Sequence, residues 1–263
     1  MSYTPKFYQI TVALPLDELS VNQTDKKVLD LAAIEMTSAA QDMTDDIGSL
    51  FYSDGTGNSS KDFLGLGAIV DNGDTVSTIG GQSRSTYTTL QSTVTASGGA
   101  LTLAKMATLY SAVASGAQKP TLGLCREAVA NFYETLLQPQ ERISKDVAMI
   151  KGGTVGGTGF TGYFYKGFPI LSDEKATADT LFFVNEDYID WYGLPVALTE
   201  PIKFKSQDIQ GNDYSSLQGL GFSWSGWIKP SNSASVVGHI YLGGELTTSN
   251  PKRHGKLTGV TSV

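Results

Sequence analysis

Gly157-Thr158-Gly159-Phe160-Thr161-Gly162 has the G-x-G-x-x-G spacing with which a glycine turn delivers a pyrophosphate to a helix N-terminus. That chemistry needs a helix directly after the glycines. Tyr163-Phe164-Tyr165 follows instead, then Gly167 and Pro169, so the segment reads as a loop joining two strands. Residues 55–61, GTGNSSK, suggest a phosphate loop, but Ser60 stands where its second glycine belongs and Asp62 where Ser or Thr should follow the lysine. A helix-terminating turn accounts for them better. No G-x-S-x-G or H-E-x-x-H occurs, and His239 and His254 have no obvious nucleophile tied to them. His239 sits in the apolar run from Val236 to Leu242 and reads as a hydrogen-bonded packing residue. Asp42, Asp45 and Asp46 read as the solvated face of a helix rather than an acid/base pair. Lys252-Arg253-His254 with Lys256 is a small basic cluster, expected to be a solvated terminal strand. Two histidines and the single Cys125 cannot build a three-His centre or a structural zinc site. The expectation is a non-enzyme with no catalytic, cofactor-binding or metal-ligating residue and no cofactor.

Composition narrows the partners. The 263 residues carry 19 Lys+Arg against 26 Asp+Glu, a formal charge of -7, which argues against a dedicated nucleic-acid binder. Only 17% of residues are charged, below the roughly 25% of an ordinary domain. A chain this poor in charge, with a mean hydropathy of -0.09, is suited to covering much of its surface with other protein. No continuous apolar run of about 18 residues is present to cross a membrane. The 6–16 run, ended by Asp17 and Glu18, reads as a strand rather than a leader. One cysteine excludes an internal disulfide framework and fits a reducing cytoplasm.

The elements that must carry these residues follow from periodicity. Residues 6–16, KFYQITVALPL, predict an edge-prone strand. Val28, Ala32, Met36, Ala39, Met43, Ile47 and Leu50 recur at three or four and predict a helix over 25–48, about 36 Å long at 1.5 Å per residue. Short strand fragments follow at 68–70 and 76–79, with turns at Asn72-Gly73 and Gly80-Gly81. A second helix is capped near Thr102, with Leu101 and Met106 placed to form a hydrophobic staple. A third runs from Leu124 to Gln138 with Ala128, Phe132 and Leu136 on its apolar face. Beyond Val147 the period changes to strands at 163–165, 168–171 and 181–184, a short helix over 185–192, then strands at 196–198, 219–228 and 236–246. The class is α+β.

Order and spacing then carry a resemblance. Leu50-Phe51-Tyr52-Ser53-Asp54-Gly55-Thr56-Gly57, followed by Phe63-Leu64-Gly65-Leu66, resembles the junction in tailed-phage major capsid proteins of the Hong Kong ninety-seven fold, where a long spine helix ends in a D-G-T-G turn before an x-G-L segment. Tyr165 to Asp173 (YKGFPILSD) is similar to that family's aromatic, glycine, apolar, proline strand, and Leu181-Phe182-Phe183-Val184-Asn185 to its core strand. Gly80-Gly81-Gln82-Ser83-Arg84 resembles a G-G-x-S-R run of some members.

The resemblance implies a peripheral domain whose first part is residues 1–62 with spine helix 25–48, an axial domain over 63–195, and a β-rich return to the peripheral domain over 196–263. Loop 152–162 would be the axial-domain tip. Only 24 residues precede the spine helix, room for about one strand and a short turn, which departs from the family's usual N-terminal arm and extended hairpin and leaves open a truncated chain, a processed product or a member whose arm lies elsewhere. The function implied is a shell-forming major capsid protein, assembling with itself into pentamers and hexamers of an icosahedral head around double-stranded DNA. It would reside in the virion and, during assembly, the host cytoplasm. Portal, scaffold and decoration proteins would be its partners, packaged DNA a weak contact, and no membrane is involved. The alternatives are a nanocompartment shell protein of the same fold and, less favoured, a nucleotide-binding enzyme using loop 152–162. A tail or adhesin β-protein fits poorly with three helices.

Overall fold

Aromatic and β-branched residues open the chain, and β1 spans Lys6–Pro15. Tyr8, Ile10, Val12 and Leu14 turn inward along it, while Phe7, Gln9, Thr11, Ala13 and Pro15 stay exposed, the two-residue period of a one-sided sheet. The structure is a computed structural model describing residues 1–21, 31–137, 149–150, 153–154, 163–194, 200–201, 222–231 and 233–261. The chain divides into two compact units, one of Met1–Tyr3, Ser49–Asp190 and Leu246–Val263, the other of Thr4–Gly48 and Trp191–Glu245. Residues 246–263 group with the central residues in the first unit.

After α1 (Leu16–Val21) comes α2 (Leu31–Leu50), the longest described helix. Ala39, Met43 and Ile47 are buried at intervals of four, Met36 is half-buried, and Asp42, Asp45 and Asp46 are exposed. The expected start at Asp25 lies outside the described residues. Next come α3 (Gly57–Ser60), a single turn of left-handed backbone, and α4 (Leu66–Ile69). The expected strand at 68–70 is instead the last turn of α4: Ala68 and Ile69 both donate main-chain N–H groups to the Gly65 carbonyl, each at 3.0 Å. β2 (Thr78–Ile79) and β3 (Gln82–Ser83) form a hairpin, with Gly80 and Gly81 at φ of 53° and 73° as its two-residue turn requires.

β4 (Thr93–Ala100) leads to α5 (Leu103–Val113). The Thr102 side chain caps α5 by accepting from Lys105 N at 3.2 Å, and Leu101 and Met106 are buried in one cluster, as the staple predicts. Leu122–Cys125 forms β5, so α6 spans only Glu127–Leu137. Its buried face is Val129, Ala130 and Tyr133, with Ala128 exposed, one position off the expected phase. Strands β6 (Met149–Ile150), β7 (Gly153–Thr154), β8 (Tyr163–Tyr165), β9 (Phe168–Ser172) and β10 (Thr180–Val184) follow. The helix expected over 185–192 shrinks to one 3-10 turn at Glu186–Tyr188, because β11 (Ile189–Gly193) takes the rest into a sheet. The last strands are β12 (Glu200–Pro201), β13 (Phe222–Trp224), β14 (Ser235–Thr248) and β15 (Gly255–Thr261). The expected strand at 196–198 and positions 219–221 lie outside the described residues.

The larger unit is built on a sheet of order β4-β15-β10-β5-β9-β8. β15 pairs in parallel with β4 and antiparallel with β10, and β5 pairs antiparallel with β10 and in parallel with β9. Residues from α5 and α6, among them Met106, Leu109, Val129 and Tyr133, share its core with Leu181, Phe183 and Leu257. Phe168 stacks on Tyr110 and meets Phe183 edge-to-face with centroids 5.1 Å apart. In the smaller unit the order is β1-β14-β13-β12, with β11 also paired to β14. β1 and β14 pair antiparallel over ten residues, from Lys6 opposite Gly244 to Pro15 opposite Ser235.

Candidate functional site

The motifs that could do chemistry are dispersed. The G-x-G-x-x-G loop, residues 157–162, lies outside the described residues. In the 55–61 segment, Asn58, Ser59 and Ser60 take φ of 49°, 59° and 64°, a left-handed turn rather than the start of a right-handed helix. His239 is hydrogen-bonded, as expected, through partners on the neighbouring strand. It lies half-buried on a sheet face, its Nδ1 within 3.0 Å of both Gln9 Nε2 and Thr11 Oγ1 from the paired strand. Among the described residues, no group of three or more His, Cys, Asp or Glu could hold a metal, and no helix is long and apolar enough to cross a membrane.

The basic cluster at 252–256 departs most from its expectation. Lys252 is exposed, but His254 is fully buried and Lys256 turns into the larger unit's interior, because β15 is an inner strand of the sheet and not a solvated terminus. Lys256 Nζ lies 3.7 Å from Asp71 Oδ1 and donates to the Gly67 carbonyl at 3.4 Å. Arg84, with no exposed side chain, donates from Nη1 to Asp71 Oδ2 at 3.3 Å and to the Val76 carbonyl at 3.1 Å. Its Nη2 donates to the carbonyls of Ala68 at 2.7 Å and Ile69 at 3.1 Å. Asp71 Oδ2 also accepts from the main-chain N–H groups of Gly73 and Val76, at 2.9 and 3.0 Å. Ser92 Oγ completes the hub, within bonding reach of the Ile69 and Pro251 carbonyls.

Burial pushes the Asp71 carboxyl up, but the Val76 and Gly73 amides and then the Lys256 and Arg84 charges outweigh it and hold it below the usual carboxylate range. Burial likewise pulls Arg84 and Lys256 down, opposed in both by Asp71. His254 Nδ1 accepts from Asn185 N at 3.2 Å and its Nε2 faces Thr248 Oγ1 at 3.3 Å, and burial lowers it to about 4. A part-buried polar pair joins Tyr52 and Asp173, hydroxyl to carboxylate at 2.7 Å. Burial raises the Tyr52 phenol, with the Asp173 bond and charge adding to it. Cys125 is buried and burial pushes its thiol up to about 12, so it is no nucleophile at neutral pH. These groups bond to one another and to main chain: they lock loops to strands.

Sequence reasoning missed this hub. No local signal marks it: Arg and Asp are buried only when paired, and the pairing of Arg84 and Asp71 with Lys256 comes from a distant strand.

The smaller unit offers surface rather than interior chemistry. Phe7, Ile34, Tyr192, Leu194, Trp227 and Ile228 account for six of the eight large apolar side chains exposed among the described residues, from a unit with fewer than half as many described residues as the larger one. Leu194 N donates to the Gly243 carbonyl at 2.7 Å, and Gly243 is the residue opposite Phe7 in β1.

No protein-family model and no curated protein matches the sequence. Solved structures do match the fold. The capsid asymmetric unit of cyanophage A-1(L) matches with a TM-score of 0.70 at 15% identity, covering 97% of this chain and 77% of that one. The holo-SrpI encapsulin of Synechococcus elongatus PCC 7942 matches at 0.63 and 12% identity, covering 98% and 75%. The capsid of an empty GTA particle matches at 0.54 and 10%, covering 97% and 74%. The chain has the α+β Hong Kong ninety-seven-type fold of these shells.

Proposed function

We propose that this chain is the shell-forming major capsid protein of a tailed bacteriophage, a structural protein and not an enzyme, which assembles with itself into the pentamers and hexamers of an icosahedral head. The observation that carries this reading is the likeness to the cyanophage capsid subunit, extending over 97% of the chain. Supporting it, the polar chemistry of the larger unit is spent on internal locks, while exposed apolar side chains gather on the smaller. A lattice closes because each subunit repeats several modest contacts under symmetry.

On this reading the unit of Thr4–Gly48 and Trp191–Glu245 is the peripheral domain, with α2 as its spine helix, and the unit containing Ser49–Asp190 is the axial domain. Portal and scaffold proteins, and decoration proteins where present, meet the assembled shell. With a formal charge of -7 the chain touches packaged DNA only weakly. The particle resides in the virion after assembly in the host cytoplasm.

The encapsulin likeness at 0.63 favours a second reading, a nanocompartment shell of the same fold. Sedimentation and negative-stain imaging of the purified protein test the shell reading, with rings or closed particles expected. A monomer at every concentration overturns it. Nuclease-protected DNA inside particles from infected or induced cells separates a phage head from a protein-filled compartment.

A further inference from the structure

The outer face of the β1–β14 ribbon is a layer of ten registered positions: Phe7, Gln9, Thr11, Ala13 and Pro15 on β1, opposite Gly243, Tyr241, His239, Val237 and Ser235 on β14. Residues directly opposite in an antiparallel pair project on the same side. All five β1 positions are exposed, and of the β14 positions only Gly243 is buried. None of the ten is Asp, Glu, Lys or Arg. Ile228, 53% exposed, extends the face beyond β14, bridged to Val237. A one-sided sheet ordinarily turns a polar, charge-bearing face to water, whereas depletion of charge with aromatic residues retained is the composition of an interface core.

We infer that this face is a contact between copies of the chain, a deepening that rests on the shell reading above. Charge selects the occupant. Each copy carries -7, so two copies repel wherever their acidic surfaces meet and approach best where neither presents charge. A nucleic acid or an anionic membrane would need permanent cations, and the ten positions hold no Lys or Arg. The Gln9–His239–Thr11 bonds hold the middle of the face in one arrangement before any partner arrives, which lowers the ordering cost of association.

Thr11→Lys tests this by placing a charge at the centre of the face on an exposed residue. The concentration at which particles form, read by light scattering and sedimentation, is expected to rise at least tenfold, with the melting midpoint unchanged. Thr89→Lys, on an exposed 3-10 turn of the larger unit, is expected to leave that concentration alone. Thr11→Cys supplies a second readout that does not depend on weakening the contact. The native Cys125 is buried, so maleimide is expected to label position 11 in dispersed subunits and not in particles. Wild-type particles accompanied by unchanged assembly of Thr11→Lys, or equal labelling in both states, overturn this inference alone. A wild-type chain that never assembles overturns the shell reading and this inference with it.

Discussion

The main-chain N–H of Asn185 donates to Nδ1 of the fully buried His254 across 3.2 Å, and that one bond fixes the imidazole's proton on the other nitrogen, facing Thr248 Oγ1. Protonating Nδ1 would break the bond and bury a charge. Burial therefore lowers the folded-state pKa to about 4, while the same ring in the unfolded chain titrates near 6.5. Between those values the unfolded state binds more protons. Stability is thus full above about pH 6.5 and falls as pH drops toward 4, by on the order of 3 kcal/mol. Urea unfolding of the purified protein across that window is expected to show the slope. His254→Gln, whose amide can both accept and donate, is expected to flatten it. An identical slope in both proteins would refute the assignment.

Removing one member of the Asp71–Arg84–Lys256 hub should cost far more than the pair's net worth. Arg84→Met leaves the Asp71 charge with its main-chain donors and the more distant Lys256, and strips donors from the carbonyls of Ala68, Ile69 and Val76. A loss of about 3–5 kcal/mol is expected, measured as a shift in the urea midpoint. Combining it with Asp71→Asn should cost less than the sum of the two singles, since the uncompensated charge is then gone. Additive single and double variants would mean that the two residues do not act together.

Gly65 and Gly81 should respond to alanine for different reasons. Gly65 has an ordinary φ of -89°, but a Cβ there would lie 2.4 Å from the Leu50 carbonyl oxygen and within 2.7 Å of those of Ser53 and Phe51. That backbone cannot retreat, because Leu66 N donates to the Phe51 carbonyl at 2.6 Å. Gly81 has nothing within 4 Å of its Cβ position and only its φ of 73° to defend. Gly81→Ala is expected to cost about 1 kcal/mol and Gly65→Ala about 2–3 kcal/mol, compared by thermal melting. The reverse order would show that the close approach is not what this position requires.

The same comparison shows what the sequence made legible. The x-G-L segment after the long helix stands out as a pattern, and the crowding of Gly65 supplies its physical reason. The buried stripe Ala39, Met43 and Ile47 followed directly from helical spacing, as did the Thr102 cap with its Leu101–Met106 staple. Phase failed at α6. Leu124 and Cys125 satisfy a helical period equally well, but β10 and β9 draw them into β5, so the helix begins later and turns Val129 rather than Ala128 inward. The hub was invisible for a related reason. Asp71, Arg84 and Lys256 are far apart in sequence, and nothing local in a charged residue shows that a distant strand will bury it. The 252–256 cluster reads as solvated from its local charge alone, because nothing in it shows that β15 is an inner strand.

That inner position has a consequence on the ribosome. β15 lies between β4 and β10, yet residues 255–261 are translated after both neighbours. Until their codons are read, the nascent sheet is two open-edged fragments with a missing plank, each edge able to recruit a strand from another growing chain. The chain thus stays open to mispairing until residues 255–261 are made, and slower decoding of those codons would prolong that exposure.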